Sequence, residues 1–191
     1  MTGVASANRE LDQLMDRYAR GEDAAFADLF KRGAPRVHRF LRRFSPDPGL
    51  VDDLTQETFL RLHTSRGRFE LGSAALPWIL AVARNAFLDS ARRARVRRNV
   101  IATKSRAQAT DIHAPLGAQG DEVLVAMEMA RIVERTLAGM SLRLREAFVL
   151  LRFEGLSVAE AAQSLGTTSV AVKVRAFRAN ELLREALGSE V

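Results

Sequence analysis

Apolar residues recur every three or four positions along most of this chain, and this spacing restricts the possible folds more than any other feature. Leu11, Leu14 and Tyr18 follow it near the start, and Val37 and Leu41 follow it later. The spacing is that of an amphipathic α-helix, whereas a half-buried strand alternates apolar and polar residues. Because strand patterns are nearly absent, the sequence predicts an all-α fold.

Turn signals interrupt this pattern and divide the chain into successive predicted helices. Pro and Gly residues within 45–49 stop one helix, and Pro77 fits the first turn of another. The expected helices run from near Leu11 to about Gly21, then over 23–31, 35–44, 50–64, 77–93, 122–138 and 142–153, followed by two short helices within 155–184. The side chains expected to face the core include Phe26, Leu29 and Phe30 in the second helix, and Val123, Met127, Ala130, Val133 and Leu137 in the 122–138 helix.

The composition changes over residues 94–121. Large apolar residues are few there, no helical stripe is present, and Pro and Gly lie near the end of the segment. Such a segment is typical of a linker, and a chain of 191 residues suits one large or two small domains. The sequence therefore predicts two small helical domains, 1–94 and 122–191, joined by a flexible linker over 95–121 that is basic at its start.

The charge balance favours a nucleic-acid partner. The chain has 29 Lys and Arg against 23 Asp and Glu, a net charge of +6, and almost all of the cations are arginine. The arginine fork pairs well with phosphates and guanine edges. A genome rich in G and C would also produce an arginine excess, so composition alone leaves both explanations open.

Several classes of function are disfavoured by what the sequence lacks. The chain has no cysteine, which excludes disulfides, thiolate zinc sites and thiol redox sensing. His38, His63 and His113 are scattered, and no metal spacing or nucleophile motif accompanies them, so we expect no enzyme, no cofactor and no small-molecule substrate. The most apolar run, 74–83, is too short to span a bilayer and no signal peptide is visible, which predicts a cytoplasmic protein.

The stretch "GLSVAEAAQSLGTTSVAVKVRAFRAN" (155–180) has the local chemistry of a helix-turn-helix. Ser157 and Glu160 fit a capping box at the start of the first helix. Gly166 can adopt the left-handed conformation that ends this helix. Thr167 or Thr168 then caps the second helix.

The second of these helices has two apolar sides when residues 169–184 are placed on a helical wheel. One side is long enough to face the core, and the other must face a further element or a DNA groove, where an apolar side chain can contact a thymine methyl. A fully buried helix with scattered cations is the alternative. The expected core side is Val172, Ala176, Ala179 and Leu183, and the opposite side is Val170, Val174 and Phe177, with Lys173, Arg175 and Arg178 nearby.

The two predicted domains together resemble an RNA polymerase sigma factor of the extracytoplasmic-function type. The resemblance covers about 8–93 and 123–187, and its motifs are "DDLTQETFLRLH" (52–63), "RFELGSAALPWILAVARNAFLDSARR" (68–93) and "LRLREAFVLLRFEGLSVAEAAQSLG" (142–166). It implies a protein that binds core RNA polymerase and directs promoter-specific initiation without catalysing a reaction. It also implies promoter DNA and an anti-sigma factor as partners, and a monomer when free.

For polymerase binding, the resemblance points to the helix over 50–64. The family motif DxxQExF matches Asp53, Gln56, Glu57 and Phe59, and in the family this helix docks on the clamp helices of the largest polymerase subunit. From the residues themselves, Asp53, Gln56, Glu57 and Leu60 can share one helix side, which suits a basic partner. A solvated helix side with acidic residues is the alternative.

For the −10 promoter element, the resemblance points to the loop and helix that follow, which in the family melt the DNA and hold a flipped base. Capture of an unstacked base needs a pocket, an amide for its edge and cations for the backbone. Asn85 is the expected base contact, and Trp78 is expected to be core rather than a stacking platform. The implied −10 residues are Arg66, Arg68, Phe69, Arg84, Asn85, Asp89, Arg92 and Arg93.

For the −35 element, the resemblance implies recognition by the second helix of the helix-turn-helix. This helix departs from the family pattern, because Val170, Ala171, Val174 and Asn180 replace Gly, Thr, Ser and Arg. Either the −35 element is atypical and read by methyl contact and shape, or this side rests against a regulator. The implied −35 residues are Thr167, Thr168, Ser169, Lys173, Val174, Arg175, Phe177 and Arg178.

Two further hypotheses stay open. A sigma-like decoy that titrates an anti-sigma factor would not need the basic −10 region, yet Arg84, Asn85, Arg92 and Arg93 are all present. An ordinary repressor or activator would normally be a dimer on palindromic half-sites, and no dimerisation element is evident in the sequence.

Overall fold

The computed structural model of the chain describes the backbone of residues 2–101 and 121–188, and the side chains of residues 7–96 and 127–188. Every regular element within these ranges is a helix, which confirms the all-α prediction. The chain divides into two compact units, Met1–Thr110 and Asp111–Val191. Residues 102–120 of the predicted linker lie outside the described residues, so the domain boundaries stay a prediction.

In its described residues, the first unit contains four helices and a short 3₁₀ turn. The elements are α1 (Thr2–Ala19), α2 (Ala25–Arg42), α3 (Pro48–Ser65), the 3₁₀ turn (Arg66–Arg68) and α4 (Ala75–Ile101). Helix α2 packs against α1, α3 and α4, and the core between them contains fully buried Tyr18, Leu29, Leu62 and Ile79. The apolar spacing of the sequence thus produces a helical bundle around one core.

Helix α2 is continuous through Pro35, so the prediction of two helices over 23–31 and 35–44 is wrong. Proline in a helix interior costs about 3 kcal/mol because it lacks an N–H and crowds the preceding turn. Leu29, Val37 and Leu41 lie on both sides of the proline and are fully buried. Burying an apolar side chain contributes about 1.5–3 kcal/mol, so a single buried face across Pro35 outweighs its cost. Phe30, predicted to face inward, is 40% exposed.

Helix α3 begins at a cap that the sequence specifies locally. The side chain of Asp47 accepts a hydrogen bond from the Leu50 amide at 3.3 Å, and Pro48 follows directly in the first turn. Farther along, the ring of Phe59 lies over Gly33 of α2. A Cβ at Gly33 would lie 3.0 Å from the Phe59 Cζ atom. Glycine therefore permits this close approach of α2 and α3.

The start of helix α4 is held by two carboxylates of α1. Asp12 Oδ1 accepts a hydrogen bond from the Ala75 amide at 2.7 Å, and Asp16 Oδ1 accepts one from the Gly72 amide at 2.9 Å. The first bond satisfies an amide that the first turn of a helix leaves without a partner, and the second holds the turn that precedes α4. At its other end α4 continues beyond Arg93, its predicted end, so residues 95–101 of the predicted linker are helical.

The described part of the second unit, residues 121–188, contains four helices, and the last of them packs against the other three. The core of this unit contains Leu137, Met140, Phe148, Ala179 and Leu183. The elements are α5 (Asp121–Gly139), α6 (Leu142–Arg152), α7 (Val158–Leu165) and α8 (Ser169–Gly188).

The inward side of α5 differs in part from the prediction. Leu137 is buried and Val133 packs against the core, as predicted, whereas Ala130 is exposed and Ile132 is buried instead. Val123 lies outside the residues whose side chains are described.

The helix-turn-helix formed by α7 and α8 has the caps that the sequence predicts. Ser157 Oγ accepts from the Glu160 amide at 3.2 Å, and Glu160 Oε2 accepts from the Ser157 amide at 2.7 Å. Gly166 ends α7 with a φ of 58°, in the left-handed region. Thr168 rather than Thr167 caps α8, because its Oγ1 atom accepts from the Ala171 amide at 3.2 Å.

Candidate functional surfaces

The outer side of α3 carries three exposed residues, which we call the α3 patch: Asp53, Gln56 and Leu60. All three are exposed, and Leu60 has 61% of its surface accessible. Their spacing of three and four residues places them on one side of the helix. The patch therefore presents a carboxylate, an amide and an apolar side chain together.

Phe59 is not part of this exposed surface, although the family motif places it among the polymerase-binding residues. Its side chain is 2% exposed and its ring packs edge-on against Phe30 and Phe26, with centroids 4.8 and 6.4 Å away. A direct contact between Phe59 and a partner is therefore excluded in this conformation. Its position fixes α3 against α2 and so orients the α3 patch.

A shallow cavity lies where α3, the 3₁₀ turn and α4 meet, and we call it the α3–α4 cavity. Its volume is about 350 Å³. Two predicted −10 residues, Arg68 and Asn85, reach it from different elements, and Trp78 lies beside them. The cavity thus collects a cation, an amide and an aromatic ring. It is lined by Arg61, Thr64, Ser65, Arg68, Trp78, Val82 and Asn85.

The burial of Trp78 and Phe69 differs from what the sequence predicts. Trp78 was expected in the core, but it is only half-buried and lines the α3–α4 cavity. Phe69 was expected to contact DNA, but it is 6% exposed, and its ring lies 5.4 Å from the Trp78 ring in an edge-on arrangement. Edge-on aromatic pairs are favourable, so Phe69 supports Trp78 from the protein interior.

Arg61 lines the cavity and also bonds to Glu57, which is next to the α3 patch in sequence. It was not among the site residues predicted from the sequence. Its Nε atom donates to Glu57 Oε1 and its Nη1 atom donates to Asp89 Oδ2, both at 2.7 Å. These hydrogen bonds raise the pKa of Arg61, and the bond from Arg61 lowers the pKa of Asp89. The spacing of Glu57 and Arg61, four residues apart on a predicted helix, was the available signal.

Asp89 was expected among the DNA-binding residues, but its carboxylate is already engaged by arginines. It accepts from Arg61 at 2.7 Å and from Arg92 at 3.1 Å. A carboxylate facing DNA would repel phosphates, and here it orients cations instead. Arg92 and Arg93 are exposed at this end of α4, whereas Arg84 is half-buried.

Arg66 was also expected to bind DNA, and the structure directs it toward α1 and α2. Its guanidinium forms an ion pair with Asp23 and lies over the Tyr18 ring, 5.0 Å from the ring centroid. The hydrogen bond to Asp23 is the largest cause that raises the pKa of Arg66. Arg68, rather than Arg66, therefore supplies the cation of the 3₁₀ turn to the cavity.

Helix α8 has the two apolar sides that its sequence predicts. Val172, Ala176, Ala179 and Leu183 are all buried, which confirms the expected core side. The opposite side forms an exposed stripe, which we call the α8 stripe: Val170 (70% exposed), Val174 (46%) and Phe177 (58%).

Polar residues border the α8 stripe. Lys173, Arg178 and Ser169 are exposed, while Arg175 and Thr167 are half-buried. Asn180 stands where the family has arginine, and its Nδ2 atom donates to the Ala176 carbonyl of its own helix at 2.8 Å. The cations available beside the stripe are therefore Lys173 and Arg178, with Arg175 partly accessible.

Within the described residues, no helix is both long and apolar enough to cross a membrane. The same part of the chain contains no group of His, Asp or Glu side chains arranged to hold a metal ion.

Comparison with known proteins identifies both units. The family model described as sigma-70 region 2 matches residues 29–97, and the one described as sigma-70 region 4 matches residues 130–183. The RNA polymerase sigma factor CarQ of Myxococcus xanthus is 38% identical over 174 residues, covering 91% of this chain and 95% of the relative. The extracytoplasmic-function sigma factor SigC of Mycobacterium tuberculosis is 34% identical over 183 residues, covering 96% and 94%.

Solved structures show the same fold. The structure of CnrH, solved in complex with the cytosolic domain of CnrY, matches with a TM-score of 0.66 and 25% identity over 97% of this chain and 99% of that one. The sigma factor RpoE of Bartonella quintana, solved with the anti-sigma factor NepR, matches with a TM-score of 0.70 and 24% identity over 85% and 96%. Matches of this coverage, with two domain matches in the family's order, leave one conclusion: the chain belongs to the sigma-70 family, as an extracytoplasmic-function sigma factor that directs RNA polymerase to promoters.

Proposed function

We propose that this sigma factor docks on core RNA polymerase through the α3 patch, captures an unpaired base of the −10 element in the α3–α4 cavity, and reads the −35 element with α8. The observation that carries the proposal is the cavity, where Arg68, Trp78 and Asn85 converge. These residues lie on two elements, and they bring an amide and a cation to one pocket, as base capture requires, together with an aromatic ring.

The chemistry of the cavity suits a base that has left its stack. The Asn85 amide can both donate to and accept from a base edge, which discriminates between bases. The half-buried Trp78 ring offers an aromatic face, on which an unstacked base gains about 1–3 kcal/mol. Arg68, at the exposed rim, can contact the adjoining phosphate without reading sequence.

Asn85→Ala tests the role of the cavity. We expect this change to weaken binding of single-stranded −10 DNA by the polymerase–sigma complex about 10- to 100-fold, because the paired contacts of an amide to a base are worth about 1–3 kcal/mol. The probe is a non-template-strand oligonucleotide selected from a random library, and its affinity is measured by fluorescence anisotropy.

The control is Gln13→Ala, which removes an exposed amide of α1 in the same unit. Both variants are expected to bind core polymerase like the wild type, as judged by co-elution. Equal affinity of the Asn85 variant and the wild type for the oligonucleotide would contradict the assignment of the cavity.

Replacing thymine by deoxyuridine in a selected −35 element tests how the α8 stripe is used. Each thymine methyl buried against Val174 or Phe177 contributes about 0.8 kcal/mol, so its removal is expected to weaken binding about fourfold. Val174→Ser, which restores the family's residue, should abolish the effect at the position that it contacts. If no thymine shows the effect, the stripe does not read DNA, and a protein that covers it becomes the better hypothesis.

An anti-sigma partner remains part of the proposal. It is supported by one structural neighbour, since RpoE was solved in complex with the anti-sigma factor NepR. We propose that this chain is a monomer when free and acts in the cytoplasm, where polymerase and promoter DNA are found. A decoy role is less well supported, because the chain keeps the cavity and the exposed Arg92 and Arg93 that a decoy would not need.

A further inference from the structure

Arg61 lies between the surface proposed to bind polymerase and the cavity proposed to bind DNA. Glu57, its partner on α3, directly follows Gln56 of the α3 patch. Asp89, its partner on α4, lies one turn beyond Asn85. Arg61 itself lines the α3–α4 cavity. Arg61 therefore contacts a neighbour of the α3 patch and also forms part of the cavity.

The two carboxylates beside Arg61 reduce its attraction for a DNA phosphate. Two carboxylates, Glu57 and Asp89, engage its Nε and Nη1 atoms, each at 2.7 Å. A guanidinium between two carboxylates carries little net positive field, although it has five N–H donors and two ion pairs do not use all of them. The side chain is 28% exposed, so the interactions are only partly screened by water. Removing either carboxylate would make Arg61 a much stronger site for phosphate.

Glu57 is the carboxylate that a partner could take away. It is half-buried and belongs to the same helix side as Asp53 and Gln56, and a basic partner surface docked there would attract it. A cation of the partner that reached Glu57 would form its own charge-assisted hydrogen bond with this carboxylate, so docking would compete with the bond from Arg61 to Glu57. Asp89 would remain and keep the guanidinium at the cavity.

We propose that Arg61 is a further DNA-binding residue of the α3–α4 cavity, and that docking of Glu57 on polymerase frees it to bind a phosphate of the single strand. The proposal rests on the proposed function and adds a coupling between the two binding events. By linkage, polymerase binding and single-strand binding then strengthen each other by the same factor. We therefore expect the free sigma factor to bind single-stranded DNA weakly, since its Arg61 is held by both carboxylates.

Salt dependence of DNA binding distinguishes a phosphate contact from a purely structural role. Binding of the selected −10 oligonucleotide by the polymerase–sigma complex is measured over a range of salt concentrations. Each phosphate contact contributes about 0.7 to the slope of log affinity against log salt for a single strand. Arg61→Gln is expected to reduce the slope by about that amount, and Arg61→Lys to preserve it. An unchanged slope for Arg61→Gln overturns the proposed contact.

Glu57→Gln tests the coupling in the sigma factor without polymerase. We expect this change to increase the affinity of the free protein for the oligonucleotide about fivefold or more, since coupling between sites typically lies in the range of 5- to 150-fold. If the Glu57–Arg61–Asp89 bridge only held α3 to α4, the same change would lower affinity by loosening the cavity. An equal or lower affinity therefore overturns the coupling, whatever the behaviour of Arg61→Gln.

Asn85→Ala, included in every series, separates the failure of this inference from failure of the proposed function. Loss of binding by Asn85→Ala with an unchanged salt slope for Arg61→Gln retains the cavity and rejects the role of Arg61. No effect of Asn85→Ala rejects the cavity itself. Circular dichroism shows whether Arg61→Gln folds. If it folds poorly, Arg61→Lys is the conservative variant of the salt series, because it retains the charge at this position.

Discussion

Phe59→Ala is expected to lower the free energy of unfolding of the first unit by about 3–5 kcal/mol, the usual range when a buried phenylalanine is truncated. The ring is 2% exposed, packs against two other phenylalanines and lies on Gly33, so α2 and α3 would have little means to close the gap. Most domains are stable by only about 5–15 kcal/mol. Urea denaturation followed by circular dichroism, with hydrogen exchange to localise the loss to α2 and α3, measures the effect.

Two comparisons make this prediction specific. Phe30→Ala removes a ring of the same cluster that is 40% exposed, and a smaller loss is expected. Gly33→Ala should be unfavourable in the wild type, where its methyl would lie 3.0 Å from the Phe59 ring. In the Phe59→Ala background the same methyl enters the vacated space, and helix propensity favours it by about 1 kcal/mol. Additive effects of the two changes would contradict the packing described here.

Replacing Asp53, Gln56 and Leu60 together by alanine is expected to weaken binding to core polymerase about 100-fold or more. Central residues of an interface each contribute more than about 1 kcal/mol when they are truncated. All three side chains are exposed, so each change should alter stability by no more than about 0.5 kcal/mol. Phe59 and Glu57 are left intact, because one supports the core and the other holds Arg61. Competition binding to fluorescently labelled polymerase measures the loss.

The matched control changes an acid, an amide and an exposed leucine elsewhere in the same unit, namely Glu70, Gln13 and Leu71. Polymerase binding by this control is expected to equal that of the wild type. If the α3 patch variant also binds normally, the patch is a solvated helix side, which is the alternative that its sequence left open.

The helix-turn-helix could be predicted closely because its signals are local. Ser157, Glu160 and Gly166 act on backbone groups within four residues of themselves, and the caps that they form are those that the sequence indicated. The buried side of α8 followed from helical period alone. In both cases the physical cause and the sequence pattern span the same few residues, so no knowledge of distant packing was required.

The candidate sites of the first unit could be predicted only in part, because burial there depends on packing between elements. Phe59 and Leu60 are adjacent apolar residues of one helix, yet they are 2% and 61% exposed. The sequence motif does not distinguish them. The unexpected burial of Phe69 and the unexpected exposure of Trp78 have the same origin. The opposite error occurs at Pro35. The tendency of proline to interrupt helices predicted a helix boundary there, but apolar side chains buried before and after it keep α2 continuous.

The two carboxylates of α1 that cap the start of α4 affect where the chain can be cut. The match to sigma-70 region 2 begins at residue 29, after α1 has ended. A fragment that began there would lack the acceptors that Asp12 and Asp16 give to Ala75 and Gly72. It would keep every cavity residue and still leave the Ala75 amide at the start of α4, and the Gly72 amide before it, without these partners. Fragments for crystallography or for engineered sigma factors should therefore retain α1.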